Sequence, residues 1–128
     1  MVKKNIFLIL VLFYILTVIY GSLFNLNNVT VINIKFYDKT IHFLTYFVLC
    51  LLVFISLSIY KFSCSLQLSI VFSIIFGVTI EFLQMKLTTN RNFDSFDIVA
   101  NLVGVLLMSI FIQKNKKSLL KISKHLCN

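Results

Sequence analysis

Three polar clusters interrupt an otherwise apolar chain, and they hold the side-chain types that exchange protons and hold anions. The first is Asp38-Lys39-x-x-His42. The second is Glu81 with Gln84 one helical turn on. The third is Arg91-x-x-Asp94-x-x-Asp97-x-x-x-Asn101. Glu81 is the most costly of these groups. A carboxylate deep in a hydrophobic segment costs roughly 2.5–3.5 kcal/mol on insertion scales, less near the headgroups. Near a helix C-terminus the helix dipole disfavours it further. Its expected partners are Arg91, Lys39 or a protonated His42. His42 and Glu81 are the acid/base candidates, and Asp97 is the carboxylate that would orient them. Asp38, Lys39, Gln84, Arg91, Asp94 and Asn101 are the candidate binding residues, with Lys39 and Arg91 suited to a phosphate or carboxylate.

Each residue also has a plainer use. Asp38 and Asp94 suit helix N-caps, and Asp97 suits the positive end of a helix dipole. Asn101 and Gln84 suit hydrogen bonds between helices. Lys39, Lys86 and Arg91 suit contacts with lipid headgroups. His42, Glu81, Asp94 and Asp97 could together offer a metal a hard or borderline donor set. No fixed-spacing ligand motif supports that, so neither a metal nor a cofactor is expected. A Gly-rich phosphate loop and a GxSxG turn are both absent from the sequence, and no serine stands out as a nucleophile.

The elements that must position these clusters are hydrophobic spans. The chain has 128 residues, 59% of them hydrophobic and 12% charged, with a mean hydropathy of +0.99. Soluble domains average about 25% charged, so an all-α integral membrane domain is expected, with the lipid bilayer as its first partner. Four apolar runs, 6–26, 41–60, 66–85 and 96–112, each approach the ~20 residues that a spanning helix needs. They predict a four-helix bundle in up-down order over residues 1–113, followed by a basic tail, 114–128. The first run is too long for a signal peptide h-region, and no small-x-small site follows it, so a retained helix is expected.

The net charge of +8 is not a nucleic-acid signature, because the cations cluster at span ends and in the tail and no nucleic-acid motif is present. With the N-terminus inside, eight of the twelve Lys and Arg fall on the cytoplasmic side, which predicts that both termini are cytoplasmic. In the tail, Lys114, Lys117, Lys121 and Lys124 share one stripe opposite Leu119, Ile122 and Leu126. That suits either a helix lying on an anionic leaflet or a solvated tail that sets orientation. Trp is absent, so interfacial anchoring falls to Lys and to Tyr14, Tyr20, Tyr37, Tyr46 and Tyr60. Cys50, Cys64 and Cys127 have no metal or disulfide spacing, and Cys50 reads as an apolar filler.

Up-down order places the three clusters at one end of the bundle, on the extracytoplasmic side. Ser69, Ser73, Gly77, Glu81 and Gln84 form one small-then-polar stripe, and Asp97, Asn101 and Gly104 form another. Small residues let membrane helices approach closely, so these faces are expected to meet.

The motifs D-K-x-x-H-F-x-x-Y (Asp38 to Tyr46), G-x-x-I-E-x-x-Q (Gly77 to Gln84) and R-x-F-D-x-x-D-x-x-x-N-x-x-G (Arg91 to Gly104) together resemble the VanZ-like family of small bacterial membrane proteins. Met108 stands where a second glycine one turn after Gly104 would continue the pattern. The resemblance implies a multi-helix fold in the cell membrane and a role in the cell envelope of the kind linked to teicoplanin resistance. The partner would be a lipid-linked cell-wall precursor or a lipoglycopeptide. It supplies no settled reaction, so enzyme activity stays open. Two other readings compete: a non-catalytic membrane partner or structural subunit, and a proton-coupled carrier, which would need a homo-oligomer to build a pathway.

Overall fold

The computed structural model describes residues 2–23, 35–87 and 94–127. They form four helices: α1 (Val2–Leu23), α2 (Lys35–Ile59), α3 (Ser65–Leu87) and α4 (Ser95–Cys127). At 1.5 Å per residue these are about 33–50 Å long, and all four are long and apolar enough to cross a membrane. No strand occurs among the described residues.

Two helix bounds differ from the hydropathy reading. α2 begins six residues before Ile41, because polar Asp38 and Lys39 sit within its first turns rather than in the loop before it. Asp38 is therefore not an N-cap. α4 does not stop at Ile112. It continues through the basic segment to Cys127, with one non-helical residue, Asn115 (φ −107°, ψ 16°). There the Asn115 side-chain amide donates to the Phe111 carbonyl at 3.0 Å. Such a bond on the helix's own ladder is a common site of a bend. Beyond it Leu119 and Ser123 are buried while the lysines stay exposed, so the segment packs on the bundle by one face.

The turn between α2 and α3 is closed by backbone bonds. Lys61 takes the left-handed conformation (φ 61°). Its N–H donates to the Ser58 carbonyl, and the Phe62 N–H donates to that of Leu57, both at 3.1 Å. This pair of bonds is the Schellman cap that ends a helix, with lysine where glycine is commonest.

The helix ends meet in two groups. Lys4 lies 3.7 Å from the Tyr60 ring centroid, joining the start of α1 to the end of α2. Gln84 donates to the Ser22 carbonyl at 2.9 Å, joining the ends of α3 and α1. Lys39 reaches Asp94 and Asp97, joining the starts of α2 and α4. The core is built mainly by Leu49, Cys50 and Phe54 of α2 with Val105, Met108 and Ile112 of α4. Cys50 is the buried filler that its surroundings in the sequence implied. Among its described residues α1 buries Val11, packs Phe7, Tyr14 and Ile15 against the core, and presents Ile9, Leu10, Phe13 and Leu16 outward.

Beside this apolar core, several polar residues are also buried and many large apolar ones are exposed. Ser69, Ser73, Glu81, Gln84, Asp97 and Asn101 are inside, while Phe13, Ile75 and Phe96 are outside. Exposed apolar surface on this scale needs an apolar solvent. The two sequence stripes account for the buried side. Every residue of Ser69, Ser73, Gly77, Glu81 and Gln84 is buried, and so are Asp97, Asn101 and Gly104. A Cβ on Gly104 would stand 2.4 Å from the carbonyl oxygen of Phe43. Only a residue without a Cβ allows the α2 and α4 backbones to come this close.

Candidate functional site

The first turns of α2 and α4 bring Asp38, Lys39 and His42 against Asp94, Asp97 and Asn101. Lys39 is the hub on the more exposed side. Its ammonium donates to carboxylate oxygens of both Asp94 and Asp97. Asp94 is also the N-cap of α4, because its Oδ1 accepts the Phe96 N–H at 2.8 Å, so the plain and the site use of this residue coexist. Asp97 lies deeper, at 3% exposure.

His42 is the hub on the buried side. Its Nδ1 lies 3.2 Å from Oδ1 of Asn101. An amide oxygen only accepts, so Nδ1 is the nitrogen that donates. Nε2 then faces Oδ2 of Asp97 at 3.8 Å and Oδ1 of Asp38 at 3.9 Å. Both gaps exceed hydrogen-bond length. An imidazole held this way, with carboxylates from two helices beside its second nitrogen, can hold a proton or a cation there.

Glu81 is buried at 3% exposure. Its Oε1 accepts the Asp94 backbone N–H at 3.3 Å, which ties the end of α3 to the start of α4. Of its expected partners, Lys39 is engaged by Asp94 and Asp97 and His42 faces Asp38, Asp97 and Asn101. Arg91 lies outside the described residues. Gln84 bonds α1 as stated above.

Beside this cluster lies a cavity of about 350 Å³ between α1, α2 and α3. Asp38, His42 and Gln84 form part of its wall, and α1 supplies Tyr14, Thr17 and Ser22. These α1 residues do not stand out in the sequence, because hydropathy alone describes that segment. The signal that could have found them is the spacing Tyr14, Thr17, Gly21, Ser22, a small and polar stripe on one helical face. Tyr14 anchors the wall by donating to the Thr45 carbonyl at 3.0 Å. Tyr46 also lines the cavity, at 2% exposure, so it is no interfacial anchor. Its ring would touch a Cβ on Gly77 at 3.0 Å, so Gly77 is the gap that admits this tyrosine.

The Lys39 ammonium beside Asp94 holds that carboxyl below its usual range, and the Phe96 N–H adds to the effect. A carboxyl with a depressed folded-state pKa stabilises the fold fully above its unfolded value of about 3.9 and loses that contribution as pH falls through the lower folded value. Asp94→Asn keeps an N-cap and removes the charge. The variant should therefore unfold more easily than the wild type at pH 7, with the difference closing below about pH 4. Thermal unfolding in detergent micelles from pH 3 to 7 checks this.

Compared with known protein families, curated proteins and solved structures, the chain finds no match in any of the three.

Proposed function

We propose that the chain is a VanZ-like, multi-pass protein of the bacterial cell membrane that binds an amphiphile of the cell envelope. Its helices run in up-down order with both termini in the cytoplasm. The Lys-rich end, with Lys3, Lys4, Lys61 and the lysines of 114–124, faces inward, as the excess of cytoplasmic cations requires. All four acidic residues, Asp38, Glu81, Asp94 and Asp97, then fall at the extracytoplasmic end. There the ligand is a lipid-linked cell-wall precursor or a lipoglycopeptide of the teicoplanin type.

One observation carries this reading. A buried imidazole between carboxylates of two helices adjoins a cavity of about 350 Å³ whose largely apolar wall carries several polar groups. The wall offers hydroxyl, amide and imidazole groups (Tyr14, Thr17, Gln84 and His42 among them), which suit the hydroxyls and amides of a sugar or peptide headgroup. An acyl chain would follow the exposed apolar faces of α1 and α3 into the lipid. His42 and Glu81 are the groups placed to move protons if the ligand is modified as well as bound. Lys39, already committed to Asp94 and Asp97, orients the carboxylates rather than holding the ligand's anion.

A second reading has its own support. Lys39 joins α2 to α4 through two carboxylates, which is what a structural clamp in a non-catalytic membrane partner would do. The two readings separate in one panel of variants, His42→Gln, Glu81→Gln and Thr17→Val, scored for membrane abundance and for sensitivity to teicoplanin and other envelope antibiotics. A binding site predicts wild-type abundance with the drug response lost. A clamp predicts reduced abundance for His42→Gln and Glu81→Gln and no effect of Thr17→Val. Wild-type abundance and unchanged drug response in all three would end the proposal.

A further inference from the structure

We infer that Asp38, His42 and Asp97 form a binding site for a first-row divalent cation, against the expectation from spacing alone. One donor atom from each of the three lies within 4.8 Å of the other two. The ligand set differs from the one that the sequence offered, because Glu81 turns to the Asp94 N–H and Asp94 to Lys39 and Phe96.

Three observations point to a cation rather than to direct contacts. The first is spacing. Nε2 of His42 stands 3.8 Å from Asp97 and 3.9 Å from Asp38. Metal bonds of about 2.0–2.2 Å at angles of 90–120° separate neighbouring donors by about 3.0–3.7 Å. The two gaps from His42 to the carboxylates therefore need to close by only some tenths of an ångström, and all three donors lie within 4.8 Å of one another. The second is the orientation of the ring. Asn101 accepts from Nδ1, which leaves Nε2 facing two carboxylates. Metal-bound histidines are held in this way, with the far nitrogen donating to a neighbouring acceptor.

The third is the cavity. Asp38 and His42 open onto it, giving room for waters or a ligand atom at the remaining coordination positions. Tyr46, one helical turn beyond His42, lines the same cavity, and its buried hydroxyl has no hydrogen-bond partner among the described residues. A bound water or ligand oxygen at the metal would provide one. One imidazole with two carboxylates is a borderline donor set, which suits Zn²⁺ or Mn²⁺ better than Ca²⁺ or Cu⁺.

The site requires the cluster but not the envelope ligand proposed above, so either can fail alone. The full chain, purified in detergent micelles and stripped by a chelator, is incubated with Zn²⁺ or Mn²⁺, freed of excess metal and assayed for metal per chain. About one ion per chain is expected in the wild type and in Thr79→Ala on the exposed face of α3. His42→Gln and Asp97→Asn should lose it, and Asn101→Leu should bind about 10–100-fold more weakly. Helix content and elution volume check that each variant is folded. For the wild type alone, the electron spin resonance of bound Mn²⁺ should show coupling to one imidazole nitrogen. Metal no higher than in empty micelles, wild-type binding in folded His42→Gln, or no nitrogen coupling would each overturn the inference, whatever the drug response shows.

Discussion

Adding a single methyl at Gly104 is expected to destabilise the bundle by about 1–3 kcal/mol, the usual range for forcing extra volume into a packed interior. The added carbon would stand 2.4 Å from the Phe43 carbonyl oxygen and 3.1 Å from the Phe47 nitrogen. Both are backbone atoms of α2, so relief requires the helix itself to move. That movement would widen the α2–α4 seam where Lys39 meets Asp97 and His42 meets Asn101. Gly21→Ala is the matched control. Nothing lies within 4 Å of a Cβ there, and alanine is a better helix former than glycine by up to about 1 kcal/mol. Unfolding by a rising fraction of SDS in mixed micelles, followed by circular dichroism, should show Gly104→Ala weakened and Gly21→Ala unchanged or strengthened. Equal stability of the two variants would mean that α2 and α4 are not in backbone contact at this point.

Lys39→Met is expected to cost about 2 kcal/mol or more. Removing one partner of a buried pair strands the other charge, at about 3–5 kcal/mol when both are fully buried. Here the discount is real, because the Lys39 side chain is 28% exposed and that of Asp94 39%, while that of Asp97 is only 4% exposed. Most of the loss should therefore come from Asp97. Lys39→Met combined with Asp97→Asn should recover much of the stability, because the double change leaves no stranded carboxylate at the deep position. Lys39→Met with Asp94→Asn should recover little, since Asp94 reaches water. A double-mutant cycle on the same unfolding assay reads this directly. Equal rescue by the two second-site changes would assign the cost to surface electrostatics and not to burial of Asp97.

Several features were legible in the chain because each has a one-dimensional signal. Four runs of apolar residues near bilayer length sufficed for four helices, and each appears in the fold. The stripes Ser69–Ser73–Gly77–Glu81–Gln84 and Asp97–Asn101–Gly104 were readable from helical period alone, and both are buried. That Asp38-Lys39-x-x-His42 and Asp94-x-x-Asp97-x-x-x-Asn101 lie toward one end followed from up-down order, whereas the packing of Gly104 on Phe43 and Phe47 of α2 did not. Helix bounds were less legible. Hydropathy marks where lipid can begin, whereas a helix ends where its backbone bonds end. α2 and α4 both extend into polar sequence for that reason.

Partner choice within the cluster was decided in three dimensions. Sequence offered Glu81 three cations, but it could not assign Lys39 to Asp94 and Asp97 or Glu81 to the Asp94 N–H. Those pairings depend on rotation of each helix about its own axis and on depth, and a shift of one residue turns a side chain by about 100°. The polar wall that α1 contributes was hidden for the same reason. Tyr14, Thr17 and Ser22 carry no charge and barely lower the hydropathy of their run, so they gain meaning only once α1 lies against α2. The sequence by itself determined four apolar helices, their small-residue faces and the gathering of acidic groups toward one end, because length, period and composition act locally. The tertiary structure alone decided which ammonium meets which carboxylate, where His42 points and that a cavity adjoins it, because contacts between helices depend on rotation and depth that no linear pattern encodes.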